Sequence, residues 1–154
     1  MREEPTTAFT EDQLSKAVSF KDELKYIKEN IEPIKDKNFS DFFFSYINKK
    51  GLVKDNIVNT CDLPRSTAND IICGKKENPS RDRIIAITYA ANMSVDEMNR
   101  ALTLSHNEPL YAKSPRDAFI MACIKEKKRG NANFSNVTKL NAQLPEYGYA
   151  PLNI

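Results

Sequence analysis

Residues 51–74, GLVKDNIVNTCDLPRSTANDIICG, constrain the fold more than any other stretch of the chain. Their apolar residues fall at helical spacing, interrupted by one turn signal and closed by a glycine. Ile57 and Val58 supply the inner positions of a first short helix, and Asp62-Leu63 makes the turn. Pro64 opens a second helix, because proline's fixed φ suits the first helical turn. Ala68, Ile71 and Ile72 form the inner side of that helix, and Gly74 stops it where a left-handed residue is needed. The outer side carries Arg65, Ser66, Thr67 and Asn69. These are short hydrogen-bonding side chains and one guanidinium, the chemical types that address base edges and phosphates.

Helical patterning continues on both sides, so the expected class is all-α. Thr10 with Gln13 makes a capping box ahead of Leu14 and Val18. Ser19 with Asp22 starts another helix, which carries Leu24, Ile27 and Ile31 and ends at Pro33. In FSDFFFSYINKK, the residues Phe39, Phe42, Phe43, Tyr46 and Ile47 share a broad apolar face before Gly51. These aromatics are expected in the core rather than as a base-stacking platform. Strand-type alternation of useful length is absent.

The second half contains an internal repeat. SRDRIIAITYA at 80–90 parallels PRDAFIMACIK at 115–125, with Arg81-Asp82 matching Arg116-Asp117. MNRALTLSHNEPL at 98–110 parallels LNAQLPEYGYAPL at 140–152, with Asn99 and Pro109-Leu110 recurring as Asn141 and Pro151-Leu152. The offset grows from 35 to 42 residues, which places a longer loop around KRGNANFSN. Two helix pairs stacked in tandem bury faces that one pair leaves exposed. Ser94 with Glu97, and Ser114-Pro115 with Asp117, supply capping chemistry. Ala118–Ile124 is apolar around the whole helix, which demands partners on more than one side. The first helix pair covers one side and Tyr147, Tyr149 and Leu152 another. Any apolar surface left over is then shared with a second subunit or a foreign protein.

Composition excludes several classes. At 154 residues, one compact domain with an extension is expected. The seven-residue run Ala118–Ile124 is the longest apolar one and far too short to span a bilayer. The chain begins MREEP without an apolar signal region, which points to the cytoplasm. Cys61, Cys73 and Cys123 are scattered and odd in number, and are expected to be buried reduced thiols. With His106 as the only histidine, no zinc site, catalytic triad or histidine acid/base pair can be built. Gly51, Gly74, Gly130 and Gly148 are isolated stops, and none belongs to a phosphate-cradling loop. The expectation is a non-enzyme that needs no cofactor or metal.

Charge is uneven. Residues 1–37 hold seven basic and nine acidic groups, whereas residues 49–83 hold eight basic against five acidic. Residues 113–130 hold six basic against two acidic, mostly in KEKKR. Lys54 opens the first helix of the pair, where a cation opposes the helix dipole unless an anion lies nearby. The cations of Lys125–Arg129 have a simpler account, since a helix C-terminus favours them.

The spacing of Val58, Asp62 and Gly74 resembles the helix-turn-helix of the phage repressor and Cro-like family. GKKENPSRDRIIAITYAANMSVDEMNRAL resembles that family's next two helices, entered at Pro79-Ser80. The family often has alanine at the Val58 position, glycine at the Asp62 position and a capping serine where Pro64 stands. Asp70 lies where a base-contacting residue often sits, and its carboxylate could accept from a cytosine amino group or pair with a neighbouring arginine such as Arg65. The stretches LSKAVSFKDELKYIKEN, GKKENPSRD, NEPLYAKSPRDAFI and the closing APL resemble bacterial members with a helical N-terminal arm and a C-terminal helix pair.

That resemblance implies an arm at 1–37, a DNA-binding domain at 38–110 and a C-terminal helix pair at 111–154. It implies a regulator of transcription that reads double-stranded DNA through Arg65, Ser66, Thr67, Asn69 and Asp70. Lys54, Lys75, Lys76 and Arg81 then face phosphates. A homodimer is expected, because one recognition helix reads too few base pairs and paired half-sites about 34 Å apart double the contacts. The alternative is an antitoxin-like or adaptor module whose helical repeat grips a protein partner.

Overall fold

Chain stops and caps define the helices. The computed structural model describes Lys21, which is helical, and residues 36–154. The capping boxes expected at Thr10 and Ser19 lie outside the described residues. Residues 36–154 form seven α-helices and one 3-10 turn with no strand. Helix α1 spans Phe39–Lys50, where Asn38 accepts from the Asp41 amide and Gly51 closes the end at φ +69°. Helices α2 (Lys54–Thr60) and α3 (Arg65–Ile72) flank the turn at Asp62, whose φ is +64°. Aspartate tolerates that left-handed region better than most residues.

Helix α4 (Arg81–Ala90) starts at the Ser80 side chain, and α5 (Val95–Leu104) starts at the Ser94–Glu97 capping box expected from the sequence. Helix α6 spans Pro115–Lys128, the 3-10 turn Ala132–Phe134, and α7 Val137–Glu146. At the start of α6 the expected cap is replaced. Ser114 makes no side-chain cap, and proline at the first position removes one of the N–H groups that a cap would serve. Asp117 is engaged elsewhere.

Six consecutive residues of α4, Ile84–Tyr89, are buried, so this helix runs through the middle of the core. It packs on α2, α5 and α7, while α1 packs on α3 and α5. Phe39, Phe43, Tyr46 and Ile47 join the core from α1, as their spacing predicts, and Phe42 is half-buried. Two tyrosines pin helix ends to that core. The Tyr46 hydroxyl donates to the Ala91 carbonyl at 3.0 Å, and that of Tyr89 donates to the Phe134 carbonyl at 2.6 Å. Burial, and after it the negative charge of Glu97, pushes the Tyr46 hydroxyl up to about 12. Both groups stay protonated donors at neutral pH.

The internal repeat is a physical exchange. Arg81 of α4 reaches the Asp117 carboxylate of α6 at 2.7 Å and also donates to the carbonyls of Glu108 and Pro109. Arg116 of α6 reaches Asp82 of α4 at 3.1 Å and donates to the carbonyls of Ala150 and Pro151. The same reciprocity continues at the two closing segments. The Leu110 amide donates to Asn99 and the Tyr111 amide to Asp117, while the Leu152 amide donates to Asn141 and the Asn153 amide to Asp82. Each Arg-Asp pair of one copy is therefore completed by the other copy, and neither copy satisfies its charges alone.

Helix α6 is covered on more than one side but not all round, since Ala118, Phe119 and Met121 are half-buried and Ala122 is exposed. Ile120, Cys123 and Ile124 are buried, and Phe119 stacks at 5.0 Å on Tyr147 and 5.3 Å on Tyr149. Residues Lys37–Ile154 form one compact unit, and a single apolar cluster runs from Phe39 to Leu152. The segments 38–110 and 111–154 thus share one core.

Asp117 is only 6% exposed. Its burial acts to raise the carboxyl, but hydrogen bonds from Arg81 and the Tyr111 amide, with the charges of Arg81 and Arg116, outweigh it and hold the group below its ordinary value. Arg81→Ala leaves that carboxylate without its ion-pair partner and should cost about 3 kcal/mol in chemical denaturation. Arg83→Ala, whose guanidinium makes no ion pair among the described residues, should cost under about 0.5 kcal/mol. A group with a depressed pKa stabilises the fold above its unfolded value of about 4. The clasp should therefore be intact at pH 5 and lost as pH falls through the lower folded value, with Asp117→Asn flattening that acid limb.

Candidate nucleic-acid interface

Helix α3 is held by its inner side and open on its outer side. Ala68, Ile71 and Ile72 are buried, while Arg65, Ser66 and Asp70 are exposed and Thr67 and Asn69 half-buried. At about 100° per residue, Arg65, Asn69, Ser66 and Asp70 lie on one arc, and Thr67 sits on its flank beside the core. Cys73 falls on the same exposed arc. The expectation of buried thiols holds for Cys61 and Cys123 but not for Cys73, which lies past the last helical turn, where the chain leaves the core. Burial pushes the Cys61 thiol up, and that of Cys123 to about 12, so both are inert.

The cations around this face divide into two groups. Lys75 and Lys76 are exposed just beyond Gly74, and both backbone amides close α3 by donating to the Asp70 carbonyl at 2.9 and 3.1 Å. Their ammonium groups make no ion pair among the described residues. Lys54 is half-buried at the first position of α2, whose N-cap Val53 offers no side-chain acceptor. Arg65 is tied back to α2, with Nη2 at 3.3 Å from Asp55 and Nη1 donating to Asn59. Its partner is Asp55 rather than Asp70.

Arg81 was expected among the phosphate-facing cations and belongs to the other group. All three of its guanidinium nitrogens are used by the clasp, on Asp117 and two carbonyls. The sequence signal for this was the repeated Arg-Asp dipeptide, which marked a shared role for Arg81 and Arg116 but not their exchange. Half-buried Lys127 and exposed Lys128 are likewise engaged within the chain, donating to the carbonyls of Tyr89 and Asn92 where α4 ends. Lys127 also lies 4.6 Å over the Tyr89 ring, and its burial lowers the ammonium to about 8. The basic run occupies the last turn of α6, as expected, and Lys127 and Lys128 serve the C-terminus of α4 as well. The Asn69 Oδ1 atom is buried and has no hydrogen-bond partner among the described residues.

The turn that aims α3 is braced from a distant part of the chain. The Asp62 carboxylate accepts from the Thr138 hydroxyl of α7 at 2.7 Å. Gly74, at φ +83°, closes the other end, and a Cβ there would lie 3.6 Å from the Ser40 Cβ. Among the described residues there is no cluster of metal-ligating side chains and no helix long and apolar enough to cross a membrane. Comparison with known protein families, curated proteins and solved structures finds no match to this chain.

Asp62 carries opposed effects. Glycine relieves the left-handed backbone but loses an exposed hydrogen bond, each worth about 0.5–1 kcal/mol. Asp62→Gly should therefore change stability by less than about 0.5 kcal/mol, whereas Asp62→Ala loses the bond without relief and should cost about 1–2 kcal/mol. Thermal melts of the two variants check this contrast.

Proposed function

We propose that this protein binds double-stranded DNA and regulates transcription, with α3 as the helix presented to the major groove. The observation that carries the reading is the exposed arc of α3. Arg65, Ser66 and Asp70 stand clear of the core, with Asn69 half-buried among them, between two left-handed stops at Asp62 and Gly74. An α-helix with its side chains is about 10–12 Å across, which matches the width of the groove. Lys75, Lys76 and Lys54 flank that arc as phosphate contacts, and Thr67 contributes from its edge. Asp70, unpaired with Arg65, is placed to accept from a cytosine amino group. Two copies acting on paired half-sites supply the specificity that one short helix lacks.

A second reading, the grip of a protein partner by the C-terminal helices, is favoured by one observation. Val95, Met121 and Ile124 line an open groove of about 580 Å³ beside α6, rimmed by Lys125, Lys128 and Arg129. Tyr147, at the end of α7, is 61% exposed. Both readings can hold for one molecule.

Selection from random duplexes followed by titration at several salt concentrations tests the first reading. Arg65→Ala should cost about 1–3 kcal/mol and relax one base position, while Lys54→Ala should weaken all sequences alike and reduce the salt slope by about one. Asp70→Asn removes a carboxylate from the phosphate-facing side, so non-specific affinity should rise while discrimination falls. No enriched sequence and no salt-dependent binding would remove the DNA reading.

A further inference from the structure

Two residues of α2, one helical turn apart, converge on a single guanidinium of α3. Asn59 accepts from Arg65 Nη1 at 2.5 Å, and Asp55 lies 3.3 Å from Arg65 Nη2. The Arg65 and Asp55 side chains are 55% and 58% exposed. An ion pair so open to solvent contributes little to stability, and it restricts a long side chain with many rotamers. What the arrangement does achieve is direction, because the planar fork of an arginine can be aimed only if something holds its plane.

We infer that Asp55 and Asn59 are positioning residues that aim Arg65 at a guanine facing the first turn of α3. This rests on the DNA-binding reading above. Asn59 and Asp55 engage two of the five N–H donors, one on each Nη atom, so three remain, enough for a two-pronged edge. In the major groove guanine alone offers two acceptors, O6 and N7, to such an edge, whereas adenine offers one acceptor and one donor. A phosphate could also accept two donors. Here the Asp55 carboxylate beside the guanidinium, and Asp70 on the same exposed arc, repel a phosphate at that spot. Base edge is thereby favoured over backbone.

The full chain is first used in selection, and each position of the recovered site is then substituted singly to read its base preference by competition. Arg65→Ala should erase a guanine preference at one position, a loss on the order of 10- to 100-fold. Asp55→Ala and Asn59→Ala should each lower that same preference by roughly 3- to 10-fold, leave the other positions unchanged, and melt like the parent. Asn59→Asp, which keeps the Oδ1 acceptor, should retain the preference. In the Arg65→Ala background neither alanine substitution should have a further effect. A uniform loss across all positions, an unchanged preference, or a base other than guanine at the Arg65-dependent position overturns the inference while leaving DNA binding in place. Absence of any salt-dependent binding by the parent chain removes the DNA reading and this inference together.

Discussion

The crossed exchange between Arg81–Asp117 and Arg116–Asp82 is the constraint on which the rest of residues 37–154 depends. A carboxylate as enclosed as that of Asp117 is tolerated only when a cation and hydrogen-bond donors meet it, since desolvation alone would neutralise it. The donors come from both ends of the repeat: the guanidinium of Arg81 and the amide of Tyr111. Each arginine also closes the loose segment after the second helix of its own pair, Arg81 on Glu108 and Pro109, Arg116 on Ala150 and Pro151. One set of ionic contacts therefore seats four elements, and α4 lies buried beside it.

From that seat the exposed arc of α3 follows. Helix α4 is fixed by the exchange and supports α2, while α3 packs on α1 and α2. The turn between α2 and α3 is further tied to α7 through Thr138. Side chains on α3 are thus presented from a backbone braced at both the turn and the inner face. Rigid presentation matters for recognition, because directional hydrogen bonds to a base edge weaken steeply with misalignment.

Arginines illustrate how chemistry divides between scaffold and surface. Arg81 and Arg65 are both followed by short polar or acidic residues near a helix start, and in the sequence they look alike. Arg81 is drawn inward because α6 brings a carboxylate and the chain after α5 brings carbonyls to within hydrogen-bond distance. Arg65 meets only exposed partners on α2, so it stays on the surface. The same division separates Lys127, lowered by burial over a tyrosine ring, from the solvent-facing Lys75 and Lys76.

Much of the helical architecture was legible in local signals. Asp62 and Gly74 take the left-handed conformations that their residue types and spacing suggested, and the Ser94–Glu97 box starts α5 as read. Ile57, Val58, Ala68, Ile71 and Ile72 are buried as their period requires. These features depend on contacts within a turn or two, which is the range over which sequence pattern speaks. The repeat was also visible, through the matched Arg-Asp dipeptides. What the tertiary structure alone decided was which charges face one another. The pairing of Arg81 with Asp117, the partnership of Arg65 with Asp55 instead of Asp70, and the exposure of Cys73 depend on groups brought together through space. Helical periodicity specifies which side of a helix turns inward. It carries no information about the charge waiting there, because that charge belongs to another helix.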